Sequence, residues 1–121
     1  MSDKTQMLVK TLLAMTRTNI LTWRREEPPV NLVGPEEDVL DFVYTSTYNE
    51  HRFRTYEYRY KYYVDELNWN WSDDIALEII DEQNRALWQF PKTPDTRSLF
   101  RTVQYQTANV DAILSDLLGP E

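Results

Sequence analysis

The sequence predicts an α+β fold: an N-terminal helix, an antiparallel meander of about five strands, and a long C-terminal helix, with both helices on one sheet face. Three observations carry this. Apolar residues at helical spacing open the chain at Leu8, Leu12 and Met15 and close it at Leu99, Val103, Val110, Leu114 and Leu117. Between them, residues 52–64 alternate with the period of two that belongs to a strand. Turn-like segments separate the apolar runs, as hairpin-connected antiparallel strands require. With 121 residues and 41% hydrophobic content, the chain reads as one domain, 1–121, long enough to bury a core.

Each element has a local reason. Ser2 or Asp3 caps the first helix, with Gln6 in the capping-box position after Asp3. Val9, Leu13 and Ala14 widen its apolar face, and Thr18-Asn19 ends it near Arg17. Ile20 to Arg24 reads as a short first strand. Residues 26–38 hold Pro28-Pro29, Gly34-Pro35 and the Glu36-Glu37-Asp38 run, and are expected as a solvated loop, because proline excludes interior strands. Val39 to Thr47 is the second strand, and Tyr48 to His51 connects it to the third as a hairpin.

The third strand sets Tyr56, Tyr58, Tyr60, Tyr62 and Val64 on one face, against Thr55, Glu57, Arg59 and Lys61 on the other. The tyrosines are expected to pack under the helices. Asp65 to Asp74, with Trp69 and Trp71, is expected as a loop or distorted edge; extended backbone would put the two indoles on one side. Ile75 to Asp81 and Ala86 to Phe90 flank Glu82 to Arg85 and form the clearest hairpin. Trp23 and Trp88, in strands, are expected as core anchors. Thr93-Pro94-Asp95 starts the last helix, Thr107-Ala108-Asn109 is a candidate break, and Gly119-Pro120 stops it.

Composition excludes several chemistries. There is no cysteine, so disulfides, thiolate catalysis and cysteine-bound metals are out. With two glycines, Gly34 and Gly119, no Gly-rich phosphate loop can form. No leader peptide or membrane-length apolar run is read, so a cytoplasmic location is expected. The formal net charge is −7, yet residues 51–61 carry four Lys/Arg against one acid. Such an acidic body with a basic strand suits a basic protein partner better than a polyanion.

The order Leu12-Leu13-x-x-Thr16, Ile20-x-x-Trp23, then Leu77-Glu78-Ile79-Ile80-Asp81, then Leu99-Phe100 and Asp111-x-Ile113-Leu114-x-x-Leu117-Leu118, has a likeness elsewhere. It resembles a loose set of short, uncharacterised bacterial proteins of helix, β-meander and helix order. The resemblance spans most of the chain on apolar and turn positions, and implies the fold but no activity. The proline loop and the tyrosine-dense segment, residues 26–74, depart from it.

Catalytic chemistry finds little footing. His51 is the sole histidine and falls in a hairpin turn; the acids Asp65, Glu66, Asp73 and Asp74 lack calcium-loop spacing. No nucleophile lies beside a base, and no second acid pairs with Glu57 or Glu78 by sequence. No catalytic residue, metal site or cofactor is assigned. The expectation is a non-enzymatic protein-interaction domain (an adaptor, inhibitor or neutralising partner) that binds another protein or a second copy of itself. Arg52, Arg54, Arg59, Lys61, Trp69 and Trp71 are its candidate contacts, since Tyr, Trp and Arg concentrate binding energy. The alternatives are single-stranded nucleic-acid binding through the basic/aromatic strand 51–64, and a small-ligand-binding protein or carboxylate-dependent enzyme. Nucleic acid is disfavoured because the tyrosines and the Arg59/Lys61 pair face opposite ways.

Overall fold

The computed structural model describes residues 3–30 and 32–119. The chain runs α1 (Asp3–Arg17), β1 (Arg24–Glu26), β2 (Glu37–Tyr48), β3 (His51–Tyr63), β4 (Trp69–Ile80), β5 (Ala86–Gln89), α2 (Pro94–Thr107) and α3 (Val110–Leu118). The strands form one antiparallel sheet in the order β1-β2-β3-β4-β5, the meander expected from sequence. Among the described residues no helix is long and apolar enough to cross a membrane.

Local chemistry sets the element ends. Ser2 and the side chain of Asp3 lie outside the described residues, and with them the expected first cap; so does Pro120 of the expected stop. α1 closes where Asn19 turns left-handed (φ 62°) and the Ile20 N–H donates back to the Met15 carbonyl at 2.9 Å. The Leu21 N–H donates to the same carbonyl and the Trp23 N–H to Gln106, so pairing with β2 begins at Arg24, later than expected. Asn49 (φ 50°) and Glu50 (φ 67°) form the β2–β3 turn, with both central residues at positive φ as a tight primed hairpin turn demands. Thr93 caps α2 in a reciprocal box with Thr96, and Pro94 opens the helix. The long C-terminal helix is in fact two, because Asn109 adopts a left-handed conformation (φ 55°) between α2 and α3.

The main core lies on one sheet face. Val9, Leu12 and Leu13 of α1 and Leu99, Phe100 and Val103 of α2 share a cluster with Tyr44, Phe53, Ile75 and Leu77 of the sheet. Gln106 ties the layers together: its amide NH2 donates to the carbonyls of Leu21 (2.8 Å) and Thr16 (3.3 Å), while its Oε1 accepts from the Trp23 N–H at 3.0 Å. Trp23 is buried and donates from Nε1 to Thr16 Oγ1 at 3.0 Å, so it anchors the core as expected. Trp88 does not. It is 44% exposed on β5, an edge strand with no buried residue, and its ring rests on Phe90 at 4.9 Å between centroids.

The tyrosine face corrects the sequence reading. Phe53 and Thr55 point toward the helices, so Tyr56, Tyr58, Tyr60 and Tyr62 point away from them. Tyr56 joins Val43 and Ala76 in a second, smaller cluster, covered by Leu32 and Val33. The proline-rich segment is therefore only partly the solvated loop expected: Val30 is exposed, but Leu32 and Val33 roof the far side of the sheet. Asp41 (φ 67°) marks a bulge between Leu40 and Val43 that lets β2 hold both faces.

Candidate functional site

β3 and β4 stay in register from Arg52↔Ile80 to Tyr63↔Trp69, so the segment expected as a loop or distorted edge is the start of β4, paired there with β3 alone. Its turn is built by Asp65, whose Oδ1 accepts from the Leu67 and Asn68 backbone N–H groups at 2.9 and 3.0 Å, with Asn68 Nδ2 donating to the same carboxylate. These bonds hold the Asp65 carboxyl below its ordinary range, the Asn68 side chain contributing most. Tryptophan and tyrosine suit extended backbone, which outweighs the polar composition here.

The register places Arg59 and Lys61 on the helix-side face, and Trp69 and Trp71 beside them. α2 reaches this face through Arg101, 3.8 Å from Glu57, at the inner end of the ribbon. Each cation lies over an indole diagonally across the strand pair: Arg59 over Trp71 at 4.1 Å and Lys61 over Trp69 at 4.6 Å. The two indoles meet edge to face at 5.1 Å and remain 38% and 42% exposed. Sequence reasoning had treated charge and stacking as split between faces. The tyrosines are indeed opposite the cations, but the tryptophans are with them.

Acids border this ladder. Arg59 also binds Asp38 Oδ2 (3.1 Å), and Tyr63 donates to Glu36 at 2.7 Å. Glu57 lies half-buried at the inner end; burial pushes its carboxyl up, Arg101 opposes the shift, and neighbouring Asp73 adds to it. Lys61 has no carboxylate within 4.0 Å among the described residues.

Two of the six candidate contacts lie apart from the ladder, and one of them, Arg54, is enclosed. Arg54 is 2% exposed, on the face away from the helices, and all three of its nitrogens are used. Nε and one terminal nitrogen donate to Glu78 Oε1 at 3.0 and 2.9 Å, and the other donates to the Asn84 carbonyl at 3.0 Å. Glu78 accepts further from the Tyr56 hydroxyl at 3.2 Å; burial, followed by the Glu78 charge, pushes that phenol well above its ordinary range. Arg52 is engaged in the β4–β5 turn, donating to the Asp81 carbonyl (2.9 Å) and Asn84 Oδ1 (2.7 Å). Arg59, Lys61, Trp69 and Trp71 do converge. Among the described residues, no group of three His, Cys, Asp or Glu side chains could hold a metal ion.

One surface was missed by sequence reasoning. α3 carries Val110, Ile113, Leu114, Leu117 and Leu118 on one stripe, yet none of its residues is buried. The signal was the Thr107-Ala108-Asn109 break, which frees α3 from the packing that α2 provides. No protein-family model, curated protein or solved structure matches the chain.

Proposed function

We propose that the chain is a non-enzymatic protein-interaction domain, an adaptor, inhibitor or neutralising partner, whose contact surface is the outer β3–β4 ribbon. The observation that supports this is the ladder of Arg59, Lys61, Trp69 and Trp71: two exposed indoles in edge-to-face contact, each under a cation of the paired strand. Exposed tryptophans cost solvation free energy and recur as energetic centres of interfaces. Contact with Arg59, Lys61 and each other narrows the rotamers open to the indoles, which lowers the ordering cost of association.

Single-stranded nucleic acid is the second reading, favoured by the indoles and cations sharing one face. The flanking Glu36 and Asp38 work against it, since phosphates would meet carboxylates at the same surface. Affinity capture from native lysate with tagged protein, with and without nuclease, separates the two. A stoichiometric protein retained after nuclease, and released by Arg59→Glu with Lys61→Glu or by Trp69→Ala with Trp71→Ala, is the expected result. Losing an interface centre costs about 2 kcal/mol or more, roughly 30-fold in affinity. Capture that survives both folded double variants would exclude the ribbon; capture lost to nuclease would favour the second reading.

A further inference from the structure

We propose that the open edge of β4 takes up an extended, basic segment of a partner protein as an added strand. This rests on the ribbon's being a protein-binding surface, and names the chemistry of what it binds. Successive residues of a strand aim their N–H and C=O groups to alternate sides, so the bonds β4 already makes show which groups are left over. Phe90 donates from its backbone N–H to the Leu77 carbonyl at 2.8 Å, on the β5 side. The odd-numbered residues of β4 therefore face the open edge, and the even-numbered ones face β3. In register, β5 pairs only with Glu78, Ile79 and Ile80. At Ile75 the edge is closed from within: its N–H donates to the Asp74 carboxylate at 2.8 Å, and its carbonyl accepts from Lys92 Nζ at 3.0 Å. Beyond Ile75, the outward backbone groups of Trp69, Trp71 and Asp73 have no hydrogen-bond partner among the described residues.

The other edges of the sheet are blunted, and this one is not. β1 and β5 are three and four residues long. Along β2 the bulge at Asp41 (φ 67°) interrupts the ladder, and Pro28, Pro29 and Pro35 line one cleft with Val39, Leu40 and Asp41. From Trp69 to Asp74, β4 contains no proline, glycine or lysine and stays in unbroken register with β3. At ~3.3 Å per residue this edge is about 20 Å long, the length of an ordinary strand. The Asp65 turn bounds it at one end, and at the other Lys92 and Pro94 line a cleft with Asp74 and Ile75.

Charge decides what kind of strand fits. Around the edge Arg59 is paired with Asp38, Arg97 with Asp74 and Arg101 with Glu57. That leaves Lys61 and Lys92 against Glu36, Asp65, Glu66 and Asp73, none of which has an ion-pair partner within 4.0 Å among the described residues. The remainder is acidic, and so is the whole chain, at −7. A second copy of β4 would bring its own Asp73 and Asp74 to these acids, so charge works against self-pairing. A basic segment meets them instead. Its main chain bonds to the edge, and alternate side chains lie beside Asp73 and the two indoles, where lysine or arginine gains from both.

Amide hydrogen exchange of the full chain, read by NMR, tests this, because the β4 amides that face β3 are an internal control. In the free protein Ser72 and Asp74 are expected to exchange at least tenfold more slowly than Trp69, Trp71 and Asp73. The probe is a capped nonapeptide of alternating lysine and valine. At about 1 mM it should slow exchange at Trp69, Trp71 and Asp73 roughly fivefold or more and leave Ser72 and Asp74 unchanged. A glutamate–valine counterpart, and the lysine–valine peptide N-methylated at every residue, should each give less than about a twofold change. Asp73→Pro removes one outward N–H without touching the β3 ladder, and should weaken the peptide about tenfold, more than Asp73→Asn does, with far-UV circular dichroism unchanged. Unchanged exchange at the three edge amides, or equal protection by either control peptide, would overturn the proposal. So would protection in the free protein at about 200 μM that is lost on dilution, since a second copy would then hold the edge. A lysate partner that Trp69→Ala with Trp71→Ala releases and Asp73→Pro retains would leave the proposed function standing without it.

Discussion

Arg54 and Arg59 lie on the same strand, and the fold treats them in opposite ways. Arg54 is enclosed, with every nitrogen bonded to Glu78 or to the Asn84 carbonyl. Arg59 is half-exposed, shared between Asp38 and the face of Trp71. Their residue type is the same; what crosses the sheet above and below them differs. The inner half of β3 has helices on one side and the Leu32/Val33 roof nearby on the other, whereas the outer half extends past the helices. A guanidinium removed from water must be fully paired, so the inner half holds a structural ion pair. The outer half leaves its cation free to support an aromatic surface.

The largest effect should come from breaking the inner pair. Arg54→Ala leaves the Glu78 carboxylate buried beside Tyr56 without its counter-ion, and should cost about 3–5 kcal/mol in urea unfolding. Arg54→Met with Glu78→Leu removes both charges together and should recover most of that loss. A cost below about 1 kcal/mol for Arg54→Ala would mean that the pair is solvated in solution, and the contrast with Arg59 would fall.

Glu57 stands at the boundary and reports it through pH. Burial holds its carboxyl above the ordinary 4.5, with Arg101 opposing and Asp73 reinforcing the shift. A carboxyl whose folded pKa is raised contributes stability that is complete below its unfolded value and is lost as pH climbs through the folded one. Wild type should therefore lose stability relative to Glu57→Gln as pH rises above about 4.5, the difference levelling once Glu57 is ionised. Urea unfolding of both proteins across pH 4–8 measures it. Parallel stability curves would place Glu57 in solvent and move the boundary inward.

The sequence carried the helix–meander–helix order because periodicity and turn chemistry are local: the 3.6-residue stripes, the Thr93-Pro94 start and the Glu82 to Arg85 turn each act within a few residues. It also gave the alternation of β3 correctly. What it could not give was which face the helices cover, because Tyr56 and Phe53 are equally suited to a core, and Leu32 and Val33 lie far from Tyr56 in sequence. Arg54 was misjudged for the same reason. Its partner Glu78 is on another strand, and only register brings the two together. Trp69 and Trp71 were set in a loop or distorted edge because acids surround them, although their own preference is for strand. Of the candidate contacts, the ones that converge are those that register aligns across β3 and β4.

The smallest expected effect completes the comparison from the other end of β3. Trp71 lies 42% exposed with the Arg59 guanidinium 4.1 Å from its ring centre. A cation–π contact at an exposed site is worth about 0.5–1 kcal/mol, and substitutions on a solvated surface stay near that size. A double-mutant cycle of Arg59→Ala and Trp71→Ala should thus return a coupling of about 0.5–1 kcal/mol in urea unfolding. The measurement belongs at protein concentrations low enough to keep the chain monomeric, since association would add to the apparent stability. Coupling of several kcal/mol would show an outer ribbon as desolvated as the inner half, and Arg59 would then be a second Arg54. Coupling near the expected value would instead leave Trp71 contributing little to the fold, so that its orientation over Arg59 has its consequence in what the ribbon binds.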